Sequence, residues 1–235
     1  MFTRKILKLW TALLLIFGLT ATAQAALIDN LDGTVTQIRN DGSRLMWLKD
    51  ANYAQTSGYD ADGYMTWYEA NTYIASLNSA NYLGHDDWRL PKTMPINGNT
   101  YNYNFSYDGS TDYGYNITSP NHELSYMFYV ELGNLGYSDT SGNYQPGFGL
   151  TNTGPFNSLR TYDDVFWSYP EYAPDPIYAW AFHFYWGVQD KSSKTSESIP
   201  WAVRDVAAVP EPSTLFLLGS GIAGLAGLRR WRGRR

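Results

Sequence analysis

The sequence predicts an α+β domain, and three observations lead to that prediction. Residues 66–77 place apolar side chains at helical spacing behind a capping sequence. Residues 34–38 and 178–186 show a two-residue alternation of side chains, which is the period at which a β-strand presents its two faces. The chain has 235 residues and no cysteine, and a domain of this size buries enough surface to fold without disulfides. We therefore expect one domain, residues 26–208, between two terminal targeting segments.

The first 25 residues have the pattern of a secretory signal peptide. Basic residues precede an apolar stretch, namely Arg4, Lys5 and Lys8 before residues 9–19. Ala23 and Ala25 provide the small side chains that signal peptidase requires, so the mature chain is predicted to start at Ala26. The alternative is an uncleaved membrane anchor. In both cases residues 1–25 take no part in the predicted fold.

The first predicted element of the domain is a β-hairpin over residues 28–48. Asp32 and Gly33 open it, and residues 34–38 form its first strand. Residues 40–43 are a cluster of turn-forming side chains, and residues 45–48 return as a buried strand.

A loop with two aspartates follows the hairpin, over residues 52–64. Asp60 and Asp62 beside Gly63 resemble part of a calcium loop. The closing Glu of the twelve-residue calcium pattern is missing, so we favour a solvated turn and keep calcium as the alternative.

The strongest helix signal lies in residues 66–77. Thr66 and Glu69 form a capping box, in which each side chain bonds the other's backbone amide. Apolar side chains recur on one face at helical spacing: Trp67, Ala70, Ile74 and Leu77. That face is predicted to pack into the core.

A short extended motif follows, made of Trp88, Arg89, Leu90 and Pro91. In an extended chain Trp88 and Leu90 point to one face and Arg89 to the other. A carboxylate or backbone carbonyls would hold the Arg89 guanidinium there. Arg89 is therefore either a structural latch, which we favour, or a ligand contact.

In its context this motif resembles the Lcl C-terminal-domain family, a domain of unknown function. The order of segments carries the resemblance, which covers roughly residues 28–206: residues 32–35, 45–47, 66–70, 87–91, 166–168, 180–186 and 202–204. It implies a C-type-lectin-like fold, with two main helices packed on a twisted antiparallel sheet. It also implies structural roles for Trp47, Trp67, Trp88, Arg89, Leu90, Pro91, Trp167 and Arg204. One departure is that the family's Glu-Leu pair is absent after Pro91 and occurs only at Glu123 and Leu124.

An insertion rich in tyrosine follows the motif. Tyr101, Tyr103, Phe105 and Tyr107 alternate with small polar residues, which predicts an edge hairpin. Such a row of rings either packs over the sheet or stacks on sugars. Tyr101, Tyr103 and Tyr107 are therefore the candidate ligand contacts.

The rest of the domain is predicted as one helix, several strands and long loops. The helix has Ser119 as N-cap, Pro120 in its first turn and Gly133 or Gly136 at its end. Residues 139–160 are a glycine-rich loop of the kind that often binds ligands. Predicted strands cover residues 165–168, 178–186 and 201–206, with a proline-rich loop at 169–176 and a turn at 191–198. In the strand 178–186, the even-numbered aromatic residues, Trp180 to Trp186, are predicted to face the core.

The last 27 residues contain three parts in order: Val209, Pro210, Glu211 and Pro212, then an apolar run over residues 215–228, then an arginine cluster. As a helix the run spans only about 20 Å, less than a bilayer core requires, although the flanking arginines and Trp231 offset part of the deficit. This arrangement resembles the PEP-CTERM sorting signal. The resemblance implies a transmembrane helix in the precursor, exosortase processing near residues 210–212, and delivery to the surface of a Gram-negative bacterium. The alternative is an ordinary C-terminal membrane anchor.

The charge of the predicted domain excludes several partners. Residues 26–208 contain nine lysines and arginines against 21 aspartates and glutamates, a formal charge of −12. A domain this acidic repels nucleic acid and anionic lipid. The absence of cysteine excludes thiol nucleophiles and thiolate metal sites. It also sets aside the activity of the formylglycine-generating enzymes, which depend on cysteine.

No catalytic pattern is recognisable in the sequence. The histidines, His85, His122 and His183, lack metal-ligand spacing, and neither a nucleophile elbow nor a phosphate loop occurs. Two adjacent carboxylate pairs, residues 86–87 and 163–164, leave a glycoside-active enzyme as the least favoured alternative.

We therefore expect an exported, non-catalytic surface or matrix protein that binds a glycan or exopolysaccharide and requires no cofactor. A structural coat protein without a specific ligand is the main alternative. The expected partners are signal peptidase, exosortase, an extracellular polysaccharide, and the inner membrane transiently through residues 215–228.

Overall fold

Two β-sheets and a few helices make up the fold. The computed structural model describes residues 26–159 and 164–207, so the predicted signal peptide and sorting segment lie outside the described residues. The strands are β1 (Ala26–Asp29), β2 (Thr34–Ile38), β3 (Arg44–Leu48), β4 (Phe105–Ser106), β5 (Tyr113–Tyr115), β6 (Val165–Glu171), β7 (Tyr178–His183), β8 (Val188–Ser193) and β9 (Val203–Val206). The α-helices are α1 (Tyr53–Thr56), α2 (Trp67–Ser79) and α3 (Glu123–Tyr126). Within the described ranges, none of these helices is long and apolar enough to cross a bilayer.

The first sheet has the antiparallel order β1-β2-β3-β9. The predicted hairpin is confirmed as β2 and β3, in which Val35 pairs with Trp47. Trp47 also pairs with Val203, so the last described strand closes against the hairpin. The indole of Trp47 is fully buried and donates to Gln37 Oε1 at 2.8 Å. The hairpin therefore joins both ends of the domain.

Helix α2 confirms the predicted capping box. Thr66 Oγ1 accepts from the Glu69 N–H at 3.3 Å, and Glu69 Oε2 accepts from the Thr66 N–H at 2.9 Å. Ala70, Ile74 and Leu77 are buried, as the helical spacing predicts. Tyr73 is also buried, so the buried face of the helix is wider than the predicted stripe.

The second sheet has the order β4-β5-β8-β7-β6, and its pairs are antiparallel except for β4 with β5. Strand β7 lies between β8 and β6 and is buried on both faces, with Ala179 and Ala181 as fully covered as Trp180 and Phe182. The prediction that Trp186 faces the core is wrong. Strand β7 ends at His183 and the chain turns at Gly187, which leaves Trp186 37% exposed.

The two sheets share one hydrophobic core instead of the single sheet that we expected. Trp201 connects them, with ring centroids 4.6 Å from Trp47 of the first sheet and 5.7 Å from Phe166 of the second. Phe184 lies 4.8 Å from Phe166 and extends the same cluster. Both sheets bury a face in this core, which a single predicted sheet does not account for.

The second predicted helix begins later than expected. Ser119 is not its N-cap, since the His122 N–H donates to the Ser119 carbonyl in a turn. The Met94 N–H donates to the Asn121 carbonyl, and Thr93 bridges to His122, so this stretch pairs in extended form. Helix α3 starts only at Glu123 and continues as a π-helical segment, Met127–Glu131. The predicted end is confirmed at Gly133, whose φ is 65°.

Two other predicted loops, residues 169–176 and 191–198, begin later than expected because their first three residues belong to strands. Lys191 belongs to β8, where it pairs with Trp180, and Tyr178 pairs with Ser193. Strand β6 continues to Glu171, which pairs with Ala179. Both extensions depend on pairing with β7, a partner that local sequence does not reveal.

Candidate functional site

The motif of residues 88–91 lies within the structure as a buried connection. Trp88 and Leu90 are each 2% exposed, on the opposite face of the chain from Arg89. Arg89 donates to both oxygens of Glu123, at 2.7 and 2.9 Å, and to both oxygens of Asp205, at 3.1 and 2.7 Å. With two carboxylates engaged, the Arg89 guanidinium acts as a latch between α3 and β9.

The tyrosine-rich insertion begins and ends beside this latch, between two segments that are hydrogen-bonded to each other. Lys92 N–H donates to Glu123 Oε2 at 2.7 Å, and the Glu123 N–H donates to the Lys92 carbonyl at 2.9 Å. The insertion separates Glu123 from the motif in sequence, but the fold brings the two into direct contact. The intervening residues 93–122 form an excursion that leaves the motif intact.

Three other predicted structural residues make separate contacts. Trp167 Nε1 donates to the Met65 carbonyl at 2.7 Å, and Trp67 Nε1 donates to the Ser168 carbonyl at 3.2 Å. Arg204 donates through Nε to Asp87 Oδ1 at 2.6 Å.

The insertion places two tyrosines over the second sheet. Tyr101 and Tyr103 stack on each other with centroids 5.5 Å apart, and both contact the Trp180 ring, at 5.8 and 6.1 Å. Tyr172 approaches Trp180 from another side at 4.9 Å. Trp180 is fully buried beneath these rings. The candidate contacts Tyr101 and Tyr103 therefore pack over the sheet and are themselves half-buried.

Beyond these two tyrosines the rings become exposed. Phe105 contacts Tyr107 and Tyr113, each at 5.2 Å, and Tyr107 stacks on Tyr115 at 5.9 Å with 8° between the ring planes. Phe105 is 46% exposed and Tyr107 43% exposed. We call the whole run the aromatic surface; it consists of Tyr101, Tyr103, Phe105, Tyr107, Tyr113, Tyr115, Tyr172 and Trp180. The aromatic residues that alternate in the sequence of the insertion do lie together on this surface. The predicted edge hairpin is reduced to the two residues of β4, which pair with β5 in parallel.

A buried carboxylate holds the insertion in this shape. Asp112 accepts from the N–H groups of Ile96 and Asn102, at 2.7 and 2.6 Å, and bonds His122 Nε2 at 2.9 Å. Burial opposes the charge, but the bonds from His122, Asn102 and Ile96 hold the pKa of Asp112 below its ordinary value. Gly114 is also required, because a Cβ at its φ of 130° would lie 1.9 Å from the Ser106 carbonyl oxygen.

A lysine lies among the tyrosines at one end of the aromatic surface. The Lys191 ammonium is 4.7 Å from the ring centroid of Tyr172, 5.3 Å from that of Tyr113 and 5.6 Å from that of Tyr178. Burial raises the pKa of Tyr101 and that of Tyr113 to about 12. Their hydroxyls therefore stay protonated at neutral pH and offer both a donor and an acceptor.

A second group of rings adjoins the aromatic surface. Gly142 packs against the Tyr107 ring, and a Cβ there would lie 3.1 Å from it. Past this contact, Phe148 stacks on Trp186 at 5.7 Å with 9° between planes, and Tyr144 is 58% exposed. Sequence analysis singled out this loop only for its length and glycine content. Local sequence does not reveal how the loop reaches the turn after β7. Tyr137, just before the loop, donates its N–H to the Trp186 carbonyl at 2.8 Å and accepts the Gln145 N–H of the loop at 2.8 Å.

The candidate calcium residues form a backbone turn. Asp60 Oδ1 accepts from the N–H groups of Asp62 and Gly63, and Asp62 Oδ1 accepts from that of Tyr64. In the described part of the chain, no group of three or more His, Asp or Glu side chains is arranged to hold a metal ion. Of the carboxylate pairs, Asp87 bonds Arg204 and Asp164 is buried and accepts from the Tyr64 hydroxyl, while Asp163 is not described.

Comparison with known families gives two matches. The model of the Lcl C-terminal domain matches residues 36–204, and that of the PEP-CTERM protein-sorting motif matches residues 208–230. No curated protein and no solved structure matches the chain. The sorting motif implies an exported protein that an exosortase of a Gram-negative bacterium processes from a membrane-anchored precursor.

Proposed function

The chain belongs to the Lcl C-terminal domain family, and from that premise we propose that it is a non-catalytic glycan-binding module of the cell surface or extracellular matrix. The observation that carries the proposal is the exposed end of the aromatic surface, where Phe105 is 46% and Tyr107 43% exposed and Tyr107 packs against Gly142 of the neighbouring loop. We further propose that the fold is C-type-lectin-like, as the sequence resemblance implies.

Ring exposure of this kind suits a carbohydrate ligand. The carbon-bound hydrogens of a sugar ring form a flat apolar face, which an aromatic ring covers well, while phenol hydroxyls bond the sugar's own hydroxyls. Phe105 and Tyr107 would supply the stacking, and neighbouring tyrosines the hydrogen bonds. Tyr101 and Tyr103, which pack over Trp180, are half-buried, whereas Phe105 and Tyr107 are more exposed and leave ring area open to a ligand.

The charge of the domain favours a neutral polysaccharide. With a formal charge of −12 over residues 26–208, the protein repels strongly anionic polymers. The positively charged Lys191, at one end of the aromatic surface, is occupied by contacts with three tyrosine rings. Because stacking and hydroxyl contacts need no metal, we propose that binding is independent of calcium.

The test is a titration of the full-length chain with neutral exopolysaccharide from its host. The protein should be held in a detergent without a sugar headgroup, since such headgroups would compete for the site. We expect saturable binding that EDTA does not change. The variants Phe105→Ala and Tyr107→Ala should each bind about tenfold more weakly, because stacking on one ring is worth ~1–3 kcal/mol.

Tyr169→Ala is the matched control, since Tyr169 is 51% exposed but makes no part of the aromatic surface. Its affinity should equal that of the parent chain. Absence of saturable binding would overturn the proposal and leave the structural coat role. A rise in reducing ends during the titration would contradict the non-catalytic part and indicate a glycoside-active enzyme.

A further inference from the structure

A recess lies on the first sheet, and none of its lining residues belongs to the insertion. It is a cleft of about 180 Å³ at the end of β3, where the chain passes from Lys49 and Asp50 into α1. Tyr53 and Thr56 of α1 and Tyr82 beyond α2 form other walls. The volume is below the ~300–1,000 Å³ of sites for drug-sized ligands, so the cleft suits a single small ring.

Two tyrosine rings give the cleft an aromatic wall. Tyr53 and Tyr82 stack with centroids 4.7 Å apart and 26° between planes. Trp88 Nε1 donates to the Tyr82 carbonyl at 3.0 Å, which ties this wall to the buried motif. Burial and a hydrogen bond with Tyr53 raise the pKa of Tyr82, so its hydroxyl remains a neutral phenol. The wall therefore combines aromatic rings with neutral hydroxyl groups.

The polar groups of the cleft are fixed in place. Asp50 Oδ2 accepts from Thr56 Oγ1 at 2.7 Å, and Asp50 Oδ1 accepts from the Asn52 N–H at 3.1 Å. Lys49 Nζ donates to Asp29 Oδ2 at 2.7 Å. These three charged side chains sum to one negative charge, which disfavours an anionic ligand. Carboxylate acceptors beside an ammonium donor instead match the neighbouring hydroxyls of a neutral polyol.

The rim of the cleft contains a strained, exposed leucine. Leu83 has a φ of 54° and is 39% exposed, next in sequence to the lining residue Tyr82. Its Cδ1 lies 3.4 Å from where a Cβ of the lining residue Gly33 would be. Left-handed backbone is costly at a leucine, so the surrounding structure must hold Leu83 in this conformation beside the cleft.

We propose that this cleft binds one neutral monosaccharide unit, with the Tyr53–Tyr82 wall against the sugar ring and Asp50 and Lys49 on its hydroxyls. The site is separate from the aromatic surface, and it does not depend on the function proposed for that surface. A one-unit cleft would recognise a chain end or a branch, whereas an open row of rings suits the body of a polymer.

The experiment is saturation-transfer NMR of the full-length chain with D-glucose, D-galactose, D-mannose and N-acetyl-D-glucosamine as probes. Each is added at about 10 mM, ten times a millimolar Kd. We expect transfer to the ring protons of at least one sugar. Thr56→Trp, which fills the cleft from an exposed position, should abolish the transfer, and Asp50→Asn should weaken binding about tenfold by removing a charged acceptor.

Tyr107→Ala separates this proposal from the previous one. It should leave monosaccharide transfer unchanged even if it abolishes polysaccharide binding. Asp50→Asn keeps an Oδ1 acceptor for the Asn52 N–H and a donor for the Thr56 hydroxyl, so it should fold even where Thr56→Trp does not. Absence of transfer from all four sugars, or equal transfer in folded Asp50→Asn, would overturn the cleft proposal.

Discussion

The guanidinium of Arg89 donates to both carboxylate oxygens of Glu123, at 2.7 and 2.9 Å, across 34 residues of sequence. The carboxylate side chain is 5% exposed. In this position it also accepts the Lys92 N–H, so one buried charge joins residues 88–92, before the insertion, to α3, after it.

Arg89→Met should destabilise the protein by about 3 kcal/mol, because it leaves the Glu123 carboxylate buried without its main partner. Urea denaturation of the full-length chain measures the change. Asp87→Asn is the matched control, since the Arg204–Asp87 pair has a half-exposed carboxylate and should cost less than about 1 kcal/mol. Equal effects of the two variants would contradict the latch.

The lowered pKa of Asp205 leads us to expect a loss of folding stability in acid. A hydrogen bond from Arg89, opposed by burial and assisted by Lys92, lowers the pKa of Asp205 from 3.8 to about 2. A carboxyl whose pKa is lower in the folded state stabilises above the unfolded value, and that contribution is lost as pH falls from about 4 to about 2. Denaturation midpoints of Asp205→Asn should vary less over this window. The difference should stay below about 1 kcal/mol because the side chain is 61% exposed.

Thr66→Ala should cost about 1 kcal/mol, because the first turn of α2 then loses the side chain that accepts the Glu69 N–H. Thermal and urea unfolding give the value. Thr72→Ala, an exposed threonine on the same helix, should change stability by less than about 0.5 kcal/mol. A larger loss at Thr72 than at Thr66 would show that the cap contributes nothing.

Asp112→Ala should loosen the insertion selectively. The change removes the acceptor for the Ile96 and Asn102 N–H groups and leaves His122 buried without its partner, at about 1–3 kcal/mol for each unsatisfied group. Hydrogen exchange should rise in residues 96–107 and stay unchanged in α2. Asp108→Ala, in an exposed turn, is the control; faster exchange there in both variants alike would argue against the Asp112 contacts.

Replacing Pro210, Glu211 and Pro212 by alanine should block processing of the tail. In the native host, the exported protein should then keep the mass of its C-terminal segment and accumulate with membranes. Ser213→Ala, just beyond the motif, should be processed like the parent chain. Intact-mass spectrometry distinguishes the forms, and normal processing of the triple variant would mean that another signal is read.

The sequence alone determined the features that depend on local periodicity and on end signals. The capping box predicted α2, alternation predicted the β2–β3 hairpin, and the extended motif predicted that Arg89 lies on the opposite face from Trp88. The terminal motif also predicted the sorting signal that the family comparison confirms. Each of these signals lies within a few residues, so no distant partner is needed to read it.

The tertiary structure decided which distant residues meet. It selected Glu123 and Asp205 for Arg89, brought the tyrosines of the insertion onto Trp180, and shaped the Tyr53–Tyr82 cleft. It also moved the start of α3 to Glu123, because extended pairing with residues 92–94 displaced the predicted Ser119 cap. Strand pairing and ring packing depend on register between segments far apart in the chain, and local sequence carries no direct record of that register.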